Sequence, residues 1–296
     1  MMKISFPSPL LRLVRCLVRQ HILTRGYGIL LNRFPSALWG GSHLLIKTDI
    51  GPMIVPIRDP GSVGYVLFGC IRHEIHETRF IQQLARGFHV TIDVGAHMGW
   101  YALLMWQSIQ GEKHVFAFEP NPKTFQYLQE NARNKPGLIA QQLVIGNTDG
   151  IMQFYCASRS NLSSASRKVG SSVEVQGQSL DQFCMSRELI GQVDFVKCDV
   201  EGGELAVLQG ARLLRHSANP PIWMLEMDGD FLAETGASIE QANEEALGSS
   251  ERIILFCFDA VGNLREISHI RDSQGTHNVF VVPESRLGFF ISVSEG

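Results

Sequence analysis

The chain's apolar positions follow three successive periods. In residues 9–31 (PLLRLVRCLVRQHILTRGYGILL) they recur every three or four places. Leu10, Leu11, Val14, Leu17, Val18 and Ile22 share one helical face, arginines occupy the other, and Gly26 interrupts the pattern. Residues 43–57 (HLLIKTDIGPMIVPI) read as a hairpin with turn chemistry at 49–52, and a helix is expected near 74–86. From Val90 onward, short β-rich apolar runs take over: 90–94, 114–119, 139–145, 193–200, 221–227, 252–258 and 277–282. Most have the continuous apolar character of strands buried on both faces. Helical segments at 99–109, 122–133 and 203–214 separate the early runs, so the pattern predicts an α/β domain with a parallel sheet flanked by helices. Runs 151–155 and 173–178 are extra strands. They flank residues 157–172, where seven of sixteen residues are serine; this stretch reads either as a surface loop or as a lid over a substrate. The expected division is an extension, 1–66, and a main domain, 67–296.

Charge changes this picture at one end. The net charge of −3 gives no reason to expect nucleic acid as a partner. Residues 1–48, however, contain seven Lys or Arg and no acid. The basic helix within 9–31 therefore has three readings: packed on the main domain, lying on an anionic membrane or a protein partner, or an organelle transit peptide. No run of 18 apolar residues suggests a membrane span, and Arg12, Arg15 and Arg19 break any signal-peptide core. None of the six cysteines forms a C-x-x-C pair. Free thiols in a reducing, cytoplasmic setting are expected, with membrane-peripheral placement as the variant.

The chemistry concentrates at strand ends. The segment TIDVGAHMGWY closes the 90–94 run and opens a helix, and Gly95, Ala96 and Gly99 leave room beside the backbone. Such a turn alone is shared by nicotinamide and flavin proteins. Asp93 discriminates. A carboxylate beside the turn repels a phosphate, yet suits S-adenosylmethionine, which carries an ammonium, a carboxylate and a sulfonium; capping the turn is its structural alternative. Glu119, ending the next strand, is placed to accept ribose hydroxyls. Asn147, in GNTDG (146–150), is placed for the adenine edge or simply for a turn. In DFVKCDVEGGE (194–204), Lys197, Asp199 and Glu201 alternate. If this strand neighbours the first, Asp199 and Glu201 face the reaction space. Glu204 reads as a helix-start residue.

Together TIDVGAHMGWYALL (91–104), FAFEPNPKTFQYLQENAR (116–133) and VDFVKCDVEGGELAVLQGARLL (193–214) resemble the FkbM family of S-adenosylmethionine-dependent methyltransferases. SLDQF (179–183), WMLEM (223–227) and NVFVVP (278–283) extend the likeness over roughly residues 67–285. The resemblance implies a class I methyltransferase, Rossmann-like fold: a doubly wound, seven-stranded sheet, mostly parallel, with the last strand antiparallel. It implies O-methylation of hydroxyls on sugars or similar small metabolites. By position it gives Asp93, Gly95, Ala96, His97, Gly99 and Glu119 as cofactor contacts, with His97 standing where Asn is commoner. It adds Glu74, an acid before the first domain helix, as a further cofactor contact.

For catalysis, Asp199 is the first candidate base and Glu201 the second; His73, His76 and His97 are the imidazole alternatives. Two carboxylates do not define a metal site, so none is expected. Two other classes compete. A nicotinamide-dependent oxidoreductase or epimerase needs the phosphate-friendly turn that Asp93 opposes. A catalytically silent cofactor-binding scaffold, tethered by the basic helix, leaves the acidic set unexplained.

Overall fold

The structure, a computed structural model, describes residues 2–20, 33, 35–157, 163–165, 168, 170–273 and 278–294. Residues 21–31 of the expected basic helix, much of the 157–172 stretch and residue 277 of the expected 277–282 run lie outside the described residues. The chain forms two compact units, one within Met1–Ile75 and the other drawn from His76–Ser158 and Leu162–Gly296. No helix among the described residues is long and apolar enough to cross a membrane.

In the N-terminal unit, β1 (Ile4–Ser5) pairs in parallel with β2 (His43–Thr48), which pairs antiparallel with β3 (Gly51–Pro56). The hairpin closes one step earlier than expected, at Thr48↔Gly51, because Gly51 takes a left-handed φ of +92° and Thr48 Oγ1 donates to its carbonyl at 2.6 Å. Helix α1 (Pro9–Arg19) begins where Ser8 accepts the Leu11 amide, with proline in the first turn, where its missing N–H costs nothing. It buries Leu11, Val14 and Val18 only. The expected face was wider: Leu10 is exposed and Leu17 half-buried.

The second unit is built on an eight-stranded sheet. In chain order its strands are β4 (Val90–Val94), β5 (His114–Phe118), β6 (Leu138–Gln141), β10 (Phe195–Cys198), β11 (Ile222–Glu226), β12 (Ile253–Phe258), β13 (Leu264–Ile267) and β14 (Asn278–Pro283). Their spatial order is β13-β12-β14-β11-β10-β4-β5-β6. Strands β6, β5, β4, β10 and β11 run parallel, and β14 is antiparallel to both β11 and β12. The eighth strand, β13, lies between the expected 252–258 and 277–282 runs and pairs on the edge. Half-buried Leu264 and exposed Arg265 and Glu266 give it no apolar run to read.

Two predicted elements divide. The 139–145 run splits after Gln141, whose carbonyl takes the Glu119 amide. Its second part, β7 (Val144–Gly146), joins a separate sheet with β9 (Ser171–Ser179) and β8 (Gly150–Cys156). The 203–214 helix splits into Glu204–Gln209 and Arg212–Arg215. Gly210 packs so tightly on the Gly146 carbonyl that a Cβ would lie 1.9 Å from its oxygen. The Asp181 carboxylate then caps the second piece, accepting the Leu213 and Leu214 amides at 2.9 and 3.0 Å.

Apolar packing holds the parallel strands rigid. Ile92, Val94, Val196, Cys198 and Phe118 are all buried, and Phe183 packs edge-on against Phe118 at 4.8 Å. Chain order reverses direction at β4, whose neighbours are β5 and β10. In an open parallel sheet, ligands bind beyond the carboxyl ends of the strands at this switch point.

Candidate active site

The sheet register builds the centre of the site. Asp93 on β4 lies opposite Lys197 on β10 and Ala117 on β5. Residues opposite one another in parallel strands, and residues two apart in one strand, share a face. Asp93, Lys197 and Asp199 therefore gather at one strand end. Asp93 is 1% exposed and Lys197 4%. The Lys197 ammonium lies 2.7 Å from Asp199 Oδ2 and 5.4 Å from the Tyr101 ring centre. Burial opposes its charge, but Asp199, Asp93 and Glu226 outweigh that effect and hold the ammonium well above its usual range. Burial likewise opposes the Asp199 charge. Lys197 outweighs it, helped by a side-chain hydrogen bond from Glu226, and Asp199 is held below the usual carboxylate range.

Glu226, at the end of β11, is the member that motif reading missed. Within WMLEM it carries no signal of its own, and its partnership with Asp199 depends on which strand neighbours β10. The alternation of Lys197 and Asp199 was the readable signal for this group; the cross-strand carboxylate was not.

The turn after β4 is held by its own neighbours. The Gly95 and Ala96 amides donate to the Phe118 carbonyl at 3.0 and 2.9 Å, and the Gly99 amide donates to Ala96 at 2.7 Å. The His97 amide donates to Glu119 Oε2 at 2.9 Å. These four amides are committed within the protein. A pyrophosphate, which needs such amides, loses them. The small residues are also explained by protein contacts. At Gly95 (φ +77°) a Cβ would lie 1.7 Å from the Asp199 carbonyl oxygen, and at Gly99 (φ +95°) 2.9 Å from Leu128 Cδ1.

Glu119 closes this side. Its carboxylate accepts the His97 amide on one oxygen and the Asn121 amide, at 2.9 Å, on the other. Each oxygen keeps a second lone-pair direction. Burial pushes its carboxyl up to about 8; the Asn121 and His97 amides pull the other way, and Asp199 and Asp93 add to the rise.

The turn after β10 differs. Glu201 adopts a left-handed φ of +56° and is half-buried. Its carbonyl accepts from Ser164 Oγ at 3.0 Å. Glu204 takes the Val200 and Gly202 amides, at 2.9 Å and 3.0–3.2 Å, which fits its expected structural role. Burial raises its carboxyl to about 7. Of the described serines of the 157–172 stretch, Ser171 and Ser172 are exposed and Ser163 and Ser164 buried: Ser163 meets Asn121 at 3.3 Å and Ser164 meets Glu201.

Asn147 is exposed and donates to Gln209 Oε1 at 2.9 Å. The His76 ring lies 6.0 Å from that of Phe258 on β12, tilted by 34°, and β12 is three strands from β10 in the sheet order. Glu74 and His73 belong to the N-terminal unit, in the Arg72–Glu74 turn, with Glu74 buried and His73 Nε2 3.6 Å from its carboxylate. His97 lies in the β4 turn, half-buried, close enough for its charge to favour the ionised Asp199.

The donor set tests the cofactor. Three carboxyl groups (Asp93, Asp199 and Glu226) act on one buried cation, Lys197, and Glu119 feels Asp199 and Asp93 beside it. Such a group accommodates a cationic ligand and repels an anionic one. The ammonium, sulfonium and ribose diol of S-adenosylmethionine fit it.

The family model for the methyltransferase FkbM domain matches residues 93–246, just over half the chain. The hexuronic acid methyltransferase AglP of Haloferax volcanii is 31% identical over 150 residues, covering 50% of this chain and 61% of that protein. The chain thus spans less than two thirds of that relative. Among solved structures, the methyltransferase FkbM of Methylobacillus flagellatus aligns at 15% identity and a TM-score of 0.40, covering 91% of this chain and 60% of that one. Aeropyrum pernix fibrillarin, solved with S-adenosyl-L-methionine, aligns at 11% identity and a TM-score of 0.37, covering 80% and 92%. The matched segment runs from Asp93 through the Lys197–Asp199 pair and both turns to Glu226 and beyond, and the chain belongs to the methyltransferase FkbM domain family.

Proposed function

We propose that the chain transfers a methyl group from S-adenosylmethionine to a hydroxyl of a sugar or a similar small metabolite. The observation that carries this reading is the excess of carboxyl groups, Asp93, Asp199 and Glu226 with Glu119 beside them, over the buried cation Lys197 at these strand ends. A relative described as a hexuronic acid methyltransferase supports a sugar as acceptor. S-adenosylmethionine supplies, when bound, a methyl group already activated by positive sulfur.

The protein's part is binding, alignment and proton removal. Asp93 receives the cofactor's ammonium. Glu119, oriented by the His97 and Asn121 amides, receives the ribose diol. Asp199, kept ionised by Lys197, accepts the hydrogen bond of the substrate hydroxyl and fixes its direction. A base works best with a pKa near the working pH. The lowered Asp199 favours Glu201 for proton removal, reversing the order expected from sequence. The strained backbone at Glu201 supports the same choice, because a non-glycine residue in the left-handed region costs energy that a functional site retains.

Two measurements test this. In parallel calorimetric titrations, S-adenosylmethionine binds and a nicotinamide dinucleotide does not; the reverse result overturns the reading. With labelled cofactor and a panel of sugars including hexuronic acids, Glu201→Gln lowers kcat by about 100-fold or more while cofactor affinity holds. Full activity in that variant removes Glu201 as the base.

A further inference from the structure

The N-terminal unit holds a second cluster of chemistry that methyl transfer does not use. Arg12, Arg15, Arg19 and Lys47 line a cleft of about 530 Å³ with Cys16, Gln20, Thr48 and Asp49. At 100° per residue the three arginines fall on one side of α1, and Lys47 comes from β2. Four cations there face one acid, Asp49. Among the described residues none of the four forms an ion pair. The backbone holds the arginines instead. Arg12 Nε donates to the Pro7 carbonyl at 3.1 Å, Arg15 to the Lys47 carbonyl at 2.9 Å, and Arg19 to the Phe68 carbonyl. Gly69 makes room for Arg19, since a Cβ there would lie 2.6 Å from Arg19 Nη2. A guanidinium has five N–H donors, so each arginine is oriented in advance and keeps several for a ligand. Burial and the neighbouring charge of Arg19 lower Arg15 from its usual range, as for cations held together without a counter-ion.

The lining selects among anions. A single carboxylate would leave most of this charge unmet. A phosphate carries more charge and several acceptor oxygens, and guanidinium forks match its geometry. The volume exceeds what one phosphate fills and lies within the range of small-molecule sites, about 300–1,000 Å³. What surrounds the cations is polar. Gln20 and Asp49 offer an amide and a carboxylate, groups that pair with hydroxyls. Thr48 Oγ1 is already committed to the Gly51 carbonyl. The lining holds no aromatic side chain on which a base would stack. The body attached to the phosphate is therefore a polyhydroxylated one.

We propose that the cleft between α1 and β2 binds a phosphorylated sugar or polyol, its phosphate held by Arg12, Arg15, Arg19 and Lys47 and its hydroxyls by Gln20 and Asp49. None of these residues belongs to the methyl-transfer group, and the test reads binding alone. The carboxyl groups around Lys197 repel the same anion, so an anion titration reports on the cleft. Purified full chain is titrated by calorimetry at low salt with a hexose 1-phosphate, the unphosphorylated hexose, inorganic phosphate and adenosine monophosphate. The hexose phosphate binds most tightly of the four, the free hexose does not bind, and added salt weakens the binding. Arg15→Gln and Arg19→Gln each weaken it about tenfold or more, by removing hydrogen bonds to a charged group. Arg15→Lys, which keeps the charge but not the fork, loses less. Unchanged circular dichroism confirms that the variants fold. Hexose phosphate binding that is absent from the parent, or undiminished in both glutamine variants, overturns the proposal. Inorganic phosphate bound as tightly as the hexose phosphate makes the cleft a general anion site and overturns the sugar class, and adenosine monophosphate bound more tightly does the same. Sedimentation with phosphatidylglycerol vesicles, without affinity for the hexose phosphate, gives the cleft to a lipid headgroup and also overturns it.

Discussion

Two turns in the second unit follow adjacent parallel strands and read alike, as DVGAHMG after β4 and DVEGGE after β10. Both use left-handed residues: Gly95, His97 and Gly99 in the first, Glu201 and Gly202 in the second. Each donates backbone amides to a buried glutamate. The difference is where the glutamate comes from. Glu204 belongs to the helix that its own turn opens, so its bonds to Val200 and Gly202 seal one local loop. Glu119 comes from the neighbouring strand and spans the His97 and Asn121 amides, joining two strand ends. A local seal serves folding. A carboxylate held between strands keeps lone pairs for a ligand. Similar motifs thus differ in function because one closes on itself.

The largest break in this comparison comes at Gly95. An alanine there meets the Asp199 carbonyl at 1.7 Å and takes a strained positive φ. Gly95→Ala should cost about 3 kcal/mol or more, read as a drop in thermal or urea midpoint. Next come the two glutamates. Glu204→Gln should cost about 1–3 kcal/mol of stability by leaving a buried amide group poorly matched, with cofactor affinity little changed. Glu119→Gln should reverse the balance, with cofactor affinity falling at least tenfold and a smaller loss of stability. If both variants lose the same property, the two turns are equivalent and the comparison fails.

The pH dependence separates them further. A carboxyl whose folded value is raised keeps a proton that the unfolded chain has already lost. Its stabilising contribution is therefore complete below the unfolded value of about 4.5 and is lost as pH rises through the folded value. Burial puts those folded values at about 7 for Glu204 and about 8 for Glu119. Stability should decline from pH 4.5 toward 8, at up to about 1.4 kcal/mol per pH unit for each proton. Glu204→Gln should remove the part that ends near 7, and Glu119→Gln the part that extends to about 8. Affinity for a cationic cofactor should move oppositely, rising as Glu119 ionises.

How much of this was legible depended on the distance over which each feature is made. The parallel strands, Asp93, Glu119 and the Lys197–Asp199 alternation were readable because one strand carries each of them. Glu226 was not, since its meeting with Asp199 rests on the order β10-β11, and neither was β13, which lacks an apolar run. The packing role of Gly95 was not readable. Sequence reading gave its missing side chain to a ligand, and the Asp199 carbonyl, a hundred residues later, also requires glycine there. The exposed side of α1 escaped too, because periodicity gives a face but not what covers it. A smaller effect bears on strain: Glu201→Gly should raise stability by up to about 1 kcal/mol, relieving the left-handed backbone, while turnover falls.

The smallest effect concerns Ser164, which links the serine-rich stretch to the second turn. Its Oγ donates to the Glu201 carbonyl, while its backbone exchanges two hydrogen bonds with Tyr155. Ser164→Ala keeps the backbone bonds and removes the hydroxyl. The cost to stability should be about 0.5–1 kcal/mol, the ordinary value of one hydrogen bond. Its interest lies in where the remaining effect falls. If Glu201 removes the substrate proton, loosening its backbone should lower kcat several-fold with little change in KM or cofactor affinity. Glu204→Gln, which disturbs the same turn from its helix side, should lower stability first. A Ser164→Ala variant that loses cofactor affinity instead would tie the serine stretch to the Glu119 side, through Ser163 and Asn121, and would make the β4 turn the one that depends on it.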